Sequence, residues 1–460
     1  MANRSFRHTS DLGIRFRTSG RGGGRPVLRN RKAGLPEPRH ETDCGCNQCP
    51  VLFSRSVTAP TLEAEPACPA PPEPPTSPAA PARALRAERR SFDTIPEATW
   101  DRLAEANPWS TPFSRWAFHR AWWDAYGENA HEQTVVVVDD DAPSDSPPVA
   151  IVPLMHRHEV ETSDALTRTT MRPGSGLELT PVEPTAKAIF FGASYHADYA
   201  TVLADPRDLP AVAEALVEHL AAPPAADDPH PADWDVIDLR RLRCGDPAAE
   251  ALAAAFGARE MSEGWTLNVE REDVCPVVTV PSGASFDDYL GSLGKKVRHE
   301  IRRKLRRAEN AGEVRLDESP RPLDDLEAFI DLHQKRWGER GLFPDTEGGR
   351  QSRVLVRRLF ELFGPDGPMR LAFLTIGGRR VAAGIGIQTR DGYLYYNAGV
   401  DPDARDLSPG VILLAKFIER TIREGCRRFD LLRGDEAYKY EWGAVDEPIQ
   451  RILVRRKSSG

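Results

Sequence analysis

A dense group of polar side chains occupies the stretch FDLLRGDEAYKYEWG, residues 429–443. Six of its residues are candidates for chemistry, namely Asp435, Glu436, Tyr438, Arg433, Lys439 and Trp442. A carboxylate can accept a proton, a phenol can deliver one, and cations can hold an anionic substrate, so these residue types within one loop suit proton-transfer chemistry. A solvated surface loop uses the same residue types, and this second interpretation stays open.

A second group lies in DPDARDLSPG, residues 401–410, directly before the apolar run VILLAKFIERTIRE. Ser408 can cap a helix, Pro409 suits its first turn, and Gly410 lets a ligand come close to the backbone. The free N–H groups and the dipole at a helix start favour an anion such as a pyrophosphate. Arg405 can add a bidentate contact. Three aspartates nearby, Asp401, Asp403 and Asp406, oppose this unless they point away, and an ordinary capped helix explains the same sequence.

A third group is the run GKKVRHEIRRKLRRAENAG, residues 294–312, with eight Lys or Arg between Lys295 and Arg307 and Glu300 as the only acid among them. Apolar residues recur at helical spacing, at Leu293, Val297, Ile301, Leu305 and Ala308. The pattern predicts an amphipathic helix with a buried stripe and a basic outer face. That face can meet an anionic substrate or cofactor through Lys295, Lys296 and Arg298. A solvated charged face and a nucleic-acid contact are the alternatives.

Cysteines are close together only in DCGCNQCP, at Cys44, Cys46 and Cys49. Three thiolates can bind Zn²⁺ or an iron–sulfur cluster, but a closed site needs a fourth ligand, and only His40 or Cys68 is near. We therefore predict no metal site, and we expect a thiol-bearing disordered tail.

The elements that carry the first three groups form one regular series. Leucines and aromatic residues of LDDLEAFIDLHQKRWGERG recur at helical spacing and include His333 and Trp337. The segment 369–400 then reads as three antiparallel strands with turns at Gly377-Gly378 and Asp391-Gly392. A loop, a helix over 411–424 and a strand at RRFDLLRG follow. This order places the start of the helix beside the end of the third strand.

The rest of the chain suggests three parts. Residues 1–90 are rich in Arg, Gly and Pro and predict a disordered extension. Residues 91–271 alternate strands with helices, including a helix at 209–221, and residues 272–460 hold the series above. The length of about 370 residues after the extension favours two domains of mixed α/β type. The five tryptophans between residues 100 and 123 are expected in a core.

The overall charge is −8 and the isoelectric point is about 5.9, so nucleic acid is not the expected partner. No apolar run approaches the length of a membrane span, and the N-terminus lacks the apolar core of a secretory signal. We expect a cytoplasmic protein without a membrane-spanning segment.

The sequence resembles the CelD-like or BioF-like acetyltransferases, relatives of the Fem aminoacyl transferases within the GNAT superfamily. The resemblance covers most of residues 91–455. Six stretches carry it in order: TPFSRWAFHRAWW, YHADYATVL, FDDYLGSLGKKVRHEIRRKLRRAENAG, FIDLHQKRWGERGLF, YYNAGVDPDARDLSPGVILL and FDLLRGDEAYKYEWG. It implies two tandem GNAT-like domains with mixed, mostly antiparallel sheets packed around a cleft.

The resemblance also implies an acyl-CoA donor, acetyl-CoA or a longer thioester. Its pyrophosphate would meet the loop that matches Arg405 to Gly410, although RDLSPG has fewer glycines than the usual family form. Backbone N–H groups near Asn397 and Gly399 would face the reacting carbonyl, since splayed strands in GNAT folds leave such groups unpaired.

For the reaction, the resemblance implies transfer of an acyl group to an amine of a small-molecule, saccharide or envelope-precursor acceptor. Glu436 or Asp435 would take the proton from the amine, and Tyr438 would protonate the leaving thiolate. The acceptor would meet Arg433, Lys439, Trp442, His333 and Trp337, although His333 also suits a core position on the apolar face of its helix. His196, Asp198 and Tyr199 can add contacts from the first half, where Asp198 can equally well start a helix. Adjacent tyrosines, Tyr395 and Tyr396, must face opposite sides of their strand.

Two alternatives remain open. One is a Fem-like transferase that uses aminoacyl-tRNA; the long coiled-coil arm of Fem enzymes has no counterpart in this sequence, which favours the thioester. The other is a non-catalytic binding protein on the same fold.

Overall fold

The computed structural model describes residues 84–143, 146–157, 179–183, 185–194, 196–223 and 233–456. The predictions made for residues 1–83 of the N-terminal extension, including the tail with Cys44, Cys46 and Cys49, therefore fall outside the described residues. Folded structure begins before the predicted boundary at residue 91, because residues 85–89 form a strand.

Within the described residues, ten α-helices form: α1 (Glu97–Ala106), α2 (Trp116–Tyr126), α3 (Leu209–Ala221), α4 (Pro247–Glu263), α5 (Phe286–Ser292), α6 (Lys295–Ala311), α7 (Pro322–Trp337), α8 (Glu347–Phe363), α9 (Pro409–Arg423) and α10 (Ala437–Glu441). Side-chain caps start several of them, since Asp246 accepts from the N–H of Ala248 and Ser285 accepts from that of Asp288. In the described part of the chain, each helix is too short or too polar to cross a bilayer.

The same residues form fifteen strands: β1 (Leu85–Arg89), β2 (His131–Glu132), β3 (Val135–Asp139), β4 (Ala150–Val152), β5 (Leu154–Arg157), β6 (Ala188–Phe191), β7 (Leu203–Ala204), β8 (Val236–Arg243), β9 (Trp265–Thr279), β10 (Val314–Glu318), β11 (Met369–Ile376), β12 (Arg379–Gln388), β13 (Gly392–Val400), β14 (Arg428–Asp430) and β15 (Val445–Arg456). A four-stranded sheet has the order β1-β3-β4-β7, and an eleven-stranded sheet has the order β10-β11-β12-β13-β14-β9-β15-β8-β6-β5-β2. Most neighbours are antiparallel, as predicted.

Two parallel pairs interrupt the antiparallel pattern, one in each half of the chain. Strand β6 leads through α3 to β8, and β13 leads through α9 to β14. A parallel pair needs such a crossover, usually a helix. The large sheet thus repeats one strand–helix–strand unit, and this agrees with the predicted fold class of two tandem α/β halves.

The halves exchange their last strands at the centre of the large sheet. Strand β9 lies between β14 and β15, and β15 lies between β9 and β8. Residues 445–456 of β15 pair antiparallel with residues 265–277 of β9 almost throughout their length. The predicted domain boundary at 271/272 falls inside β9.

The two faces of the sheet in the second half are covered by different helices. Tyr393 and Phe429 stack with their ring planes 8° apart and pack with Phe417 of α9 on one face. Leu394 and Phe329 of α7 belong to the core on the other face. The meander predicted for residues 369–400 is confirmed as β11–β13.

Candidate functional site

A gap opens in the sheet between β13 and β14. The two strands pair in parallel over three positions only, and the last pair is Leu394 with Asp430. Strand β13 continues to Val400. The register of β12 against β13 also shifts by one residue, so that Tyr396 is the extra residue of a β-bulge. Beyond Leu394, β13 therefore no longer pairs with β14, and the two strands separate at this point.

The tyrosines of the bulge point to opposite faces, as predicted. The Tyr395 ring packs against Phe417 and Phe429, on the α9 side. The Tyr396 ring packs against Phe113, and its Oη donates a hydrogen bond to the carbonyl of His196 at 3.2 Å. Burial raises the pKa of Tyr396, so its phenol is protonated at neutral pH. Only Tyr396 lies on the face that meets the first half of the chain.

Helix α9 begins beside this gap, two residues earlier than predicted. Ser408 occupies the N-cap position in a left-handed conformation, with φ of 54°, and Pro409 is the first helical residue. Ser408 is thus the N-cap residue, as predicted, but its side chain makes no capping bond, because its hydroxyl accepts a hydrogen bond from Arg307 Nη2 at 2.7 Å. A Cβ on Gly410 would meet Val400 at 3.7 Å, an ordinary contact, so Gly410 is not there to relieve crowding.

The loop before α9 is organised by one of its aspartates. Asp401 is buried, accepts from the N–H of Asp403 at 3.0 Å and pairs with Arg379. Burial acts to raise the pKa of Asp401, but the hydrogen bonds from Arg379 and from the Asp403 N–H outweigh it and leave the pKa below its usual value. The negative charge of Asp401 is thus already balanced by Arg379. Arg405 is exposed on the same loop.

The basic run forms α6, and its predicted apolar stripe is confirmed. Ile301 and Ala308 are buried, and Val297 and Leu305 pack against the same core. One cation lies on the buried side: Lys304 is 4% exposed, 3.8 Å from Glu300.

Burial lowers the pKa of Lys304 in α6. Burial also raises the pKa of Glu441 in α10, and the carboxyl group of Glu441 interacts electrostatically with Lys304. The two groups therefore link α6 to α10. At its C-terminal end, α6 contacts the loop before α9 through Arg307.

The predicted substrate contacts on α6 lie at the other end of the helix. Lys295 and Lys296 are exposed in its first turn, and Arg298 donates to the carbonyl of Gly291 at 2.6 Å. Arg307, which the sequence argument did not select, is the cation that reaches the α9 start. The feature of the sequence that pointed to Arg307 was its position on the predicted basic face, about three turns after the start of the helix.

The loop after β14 contains the polar residues that the sequence predicted to act in the reaction, among them Lys439. Lys439 is only 2% exposed, and its ammonium donates to the carbonyls of Leu432, Arg433 and Gly434 at 2.8–2.9 Å. It also contacts Glu436 Oε2 at 2.9 Å. The ammonium is occupied by its own loop, so this geometry does not favour the predicted contact with the acceptor.

The other predicted residues of this loop differ in exposure. The Glu436 side chain is 55% exposed at the start of α10, whereas Asp435 is buried. Tyr438 is half-buried against the core on the α9 side of the sheet. Trp442 is buried in that core, and its carbonyl accepts from Tyr289 Oη at 2.6 Å. Trp442 is therefore a packing residue in this structure and does not line the gap.

A loop from the first half crosses the gap. Tyr199 Oη donates to Asp430 Oδ2 at 2.7 Å, on the β14 side, and the carbonyl of His196 accepts from Tyr396, on the β13 side. Between these two contacts, Asp198 Oδ1 lies 3.2 Å from Arg433 Nε. The loop thus touches both strands where they separate.

The base of this loop is fixed by a buried polar chain. His196 Nε2 lies 2.6 Å from Tyr126 Oη, which lies 2.9 Å from Ser352 Oγ. Burial, assisted by the charge of Arg433, lowers the pKa of His196 to about 3, so the imidazole is neutral at pH 7. Helices α2 and α8 therefore hold the loop over the gap without an additional charge.

Asp430 was missed by the sequence argument although it ends the strand inside FDLLRG. It is fully buried and contacts Arg428 Nη2 at 3.0 Å and Tyr199. Burial raises the pKa of Asp430 despite these partners, and burial likewise raises the pKa of Tyr199. An acidic residue at the end of an apolar strand was the available signal.

The remaining predicted residues lie on α7 and β13. His333 is buried, with its ring 4.9 Å from that of Phe343, and burial lowers its pKa to about 4. A Cβ on Gly399 would meet the His333 backbone nitrogen at 2.4 Å, so Gly399 allows α7 to pack on β13. Trp337 is partly exposed, and its Nε1 donates to the carbonyl of Ala398 at 3.4 Å.

Comparison with known proteins gives one direct family match. Residues 295–440, which contain α6 to α9, most of α10 and the gap, match the family model described as "Acetyltransferase (GNAT) domain". This segment is therefore similar to a GNAT acetyltransferase domain. No curated protein matches the chain.

Solved structures with similar folds span most of the chain. FemX is 10% identical, with 79% of this chain and 96% of FemX covered and a TM-score of 0.46. L-PGS from Bacillus licheniformis is 13% identical (79% and 93% covered, TM-score 0.43), and a tandem GNAT protein from the clavulanic acid biosynthesis pathway is 12% identical (82% and 100% covered, TM-score 0.40). At such low identities and scores, these similarities add nothing to the functional argument. We base the functional assignment on the family match of residues 295–440 and on the geometry of the gap.

Proposed function

We propose that the protein is an N-acyltransferase that moves an acyl group, with acetyl as the first candidate, from an acyl-CoA thioester to an amine. The observation that carries the proposal is the gap between β13 and β14 within the GNAT domain, with the start of α9 beside it. A thioester inserted between the strands would be close to unpaired backbone groups, and the phosphates of its carrier would be close to the first N–H groups of α9.

The donor would be held by the loop before α9. Arg405 is exposed on that loop, and Arg307 reaches it from α6. Ser408, Pro409 and Gly410 form the turn that presents the first backbone N–H groups of the helix. The basic helix α6 would extend the positive surface along which an anionic carrier approaches.

In the reaction, the amine nitrogen attacks the thioester carbonyl, the C–S bond breaks, and a proton must leave the nitrogen while another reaches the sulfur. Glu436 is the first candidate for the base because its carboxylate is exposed, with Asp435 as the second. Tyr438 is the candidate acid for the thiolate. Backbone N–H groups near Asn397 and Gly399 would stabilise the oxyanion.

The acceptor would enter from the opposite face of the sheet, where Tyr396 and the loop 196–199 lie. Trp337 and Arg433 are the half-exposed predicted contacts near that entrance. The proposal places the enzyme in the cytoplasm and takes a small-molecule or saccharide-type amine as the acceptor.

The test is release of free thiol from acetyl-CoA by the full-length protein with a panel of primary amines, followed by mass spectrometry of the products. We expect amine-dependent thiol release and acetylated amine. Glu436→Gln should lower kcat about tenfold, equivalent to about 1.4 kcal/mol in the barrier. Glu97→Gln, an exposed carboxylate on α1, is the matched control and should leave the rate unchanged.

The donor is tested separately. Arg307→Ala and Arg405→Ala should raise KM for acetyl-CoA more than they lower kcat, because they contact the carrier and not the reacting atoms. Absence of thiol release with every amine, together with protection of charged tRNA from hydrolysis, would replace the thioester by aminoacyl-tRNA as the donor.

A further inference from the structure

The ion pair between Asp198 and Arg433 joins the two halves of the chain at the gap. Asp198 belongs to the loop from the first half, and Arg433 follows Asp430, the last residue of β14, by three positions. Their side chains are 18% and 33% exposed, in a region where Asp430 and Tyr199 are fully covered. The pair is therefore the part of this polar region that solvent and small molecules can reach.

The pair is incompletely satisfied. One contact joins Asp198 Oδ1 to Arg433 Nε. Among the described residues, Asp198 Oδ2 and the two Nη atoms of Arg433 have no side-chain or backbone hydrogen-bond partner, and none of these three atoms is enclosed. A carboxylate oxygen and two guanidinium donors are thus available side by side.

We propose that this pair binds the amine and the anionic group of a zwitterionic acceptor of the α-amino-acid type. This rests on the proposed acyl transfer. Asp198 accepts from the acceptor's ammonium, and the Arg433 Nη atoms donate to its carboxylate. The opposite charges of the pair are adjacent, as are those of an amino acid, whose two groups are bonded to one carbon atom.

Lys439, the other predicted cation of this region, is already engaged, and this favours a carboxylate over a phosphate as the anion that binds. The Lys439 ammonium already serves three carbonyls and Glu436. Arg433 then contributes a single positive charge, which balances a carboxylate but leaves a phosphate dianion only partly neutralised. Tyr396 lies beside Asp198 and adds no charge to this region, because its phenol stays protonated.

The location is also suitable for the reaction. Arg433 lies three residues after the end of β14, and Asp198 lies two residues after His196, whose carbonyl accepts a hydrogen bond from the Tyr396 hydroxyl on β13. An amine held by Asp198 would therefore lie beside both strands at the point where they separate. Since α9 covers the opposite face, the donor and the acceptor would approach the gap from different sides.

The experiment compares matched ligands on the full-length protein. Alanine, glutamate, lysine and phenylalanine are each compared with the corresponding amide, and phosphoethanolamine is included as the phosphate arm. Binding is followed by saturation-transfer NMR and calorimetry, and acetylation by mass spectrometry. We expect at least one free amino acid to bind about tenfold more tightly than its amide, a difference of about 1.4 kcal/mol. Arg433→Gln should abolish that preference, and Asp198→Asn should weaken binding of the amino acid.

Arg321→Gln, which removes an exposed arginine directly before α7, is the control and should retain the preference. Equal binding of acids and amides by the wild-type protein would overturn the inference, with no variant needed. A preference for phosphoethanolamine over all four amino acids would also overturn it. Arginine-dependent binding of an amino acid without any acetyl transfer would instead refute the proposed acyl transfer and leave the ligand assignment standing.

Discussion

Lys439 shows how the chemistry of a single residue depends on what surrounds it. From the sequence, a lysine beside two carboxylates and two tyrosines is a candidate for holding a substrate anion. In the structure its ammonium donates to three consecutive carbonyls and is nearly inaccessible. The residue therefore shapes the loop that carries Arg433 and Glu436, and its influence on activity is expected through that loop.

Replacing this lysine tests the assignment. Lys439→Met keeps the aliphatic length but leaves three buried carbonyls without their donor, so the free energy of unfolding should fall by about 3 kcal/mol. Urea denaturation followed by circular dichroism measures it. Glu436→Gln alters the exposed partner and should change stability by less than about 0.5 kcal/mol. Similar losses in the two variants would contradict a buried structural role for Lys439.

A buried histidine makes the stability dependent on pH. Burial lowers the pKa of His119 to about 3. Between about pH 6.5 and about pH 3 the unfolded chain binds a proton that the folded protein does not, so stability decreases as the pH falls, by about 1.4 kcal/mol per pH unit for this one group. His119→Gln should reduce the slope of unfolding free energy against pH by that amount. An unchanged slope, with the same m value, would show that His119 is protonated in the folded protein.

At the scale of secondary-structure elements, Gly399 sets the distance between α7 and β13. Gly399→Ala would place a Cβ 2.4 Å from the His333 backbone nitrogen and 2.6 Å from the Leu332 carbonyl carbon. Neither atom can move without displacing the helix, so we expect a loss of about 2–3 kcal/mol in unfolding free energy. Gly410→Ala is the matched control, because its Cβ would meet Val400 at 3.7 Å. Equal tolerance of both substitutions would mean that α7 packs less closely than described.

Local pattern was sufficient for many of these elements. The alternation and turns of residues 369–400 predicted the meander, and the spacing of Ile301 and Ala308 predicted the buried side of α6. The gap was not predictable from such patterns, because it depends on where β14 stops and on β9 pairing with β14 from a distant part of the sequence. The side-chain capping bond at Ser408 is absent for a related reason. Its hydroxyl accepts from Arg307, about a hundred residues away, and that long-range contact replaced the local cap.

The candidate site likewise divides into local and long-range parts. Arg433 and Glu436 could be selected from one loop because their residue types are unusual together. The contact of Asp198 with Arg433 requires the first half of the chain to reach across the sheet, so the sequence could name both residues but could not pair them. Asp430 was overlooked because an acidic residue beside an apolar run commonly marks only the end of a strand.

At the scale of the molecule, the exchange of the last strands joins the two halves. Strand β15 contributes Ile452 and Val454 to the same core as Ile237 and Leu239 of β8, in the first half. In return, β9 pairs with β14 beside the gap. The geometry of the gap therefore depends on residues from both halves, including the loop that supplies Asp198.

This exchange predicts that the second half of the chain does not fold when it is isolated at the predicted domain boundary. A fragment of residues 272–460 would cut β9, remove β8 and expose the side chains of Ile452, Leu453 and Val454, which are fully buried in the whole protein. An exposed apolar strand edge is an aggregation site, so we expect a poorly soluble fragment without a cooperative urea transition. The full-length protein should show a single transition, with the same midpoint by tryptophan fluorescence and by circular dichroism. A soluble fragment that unfolds cooperatively would show that the strand exchange is dispensable for the second half, and its thiol-release activity would then reveal whether Asp198 is needed at the gap.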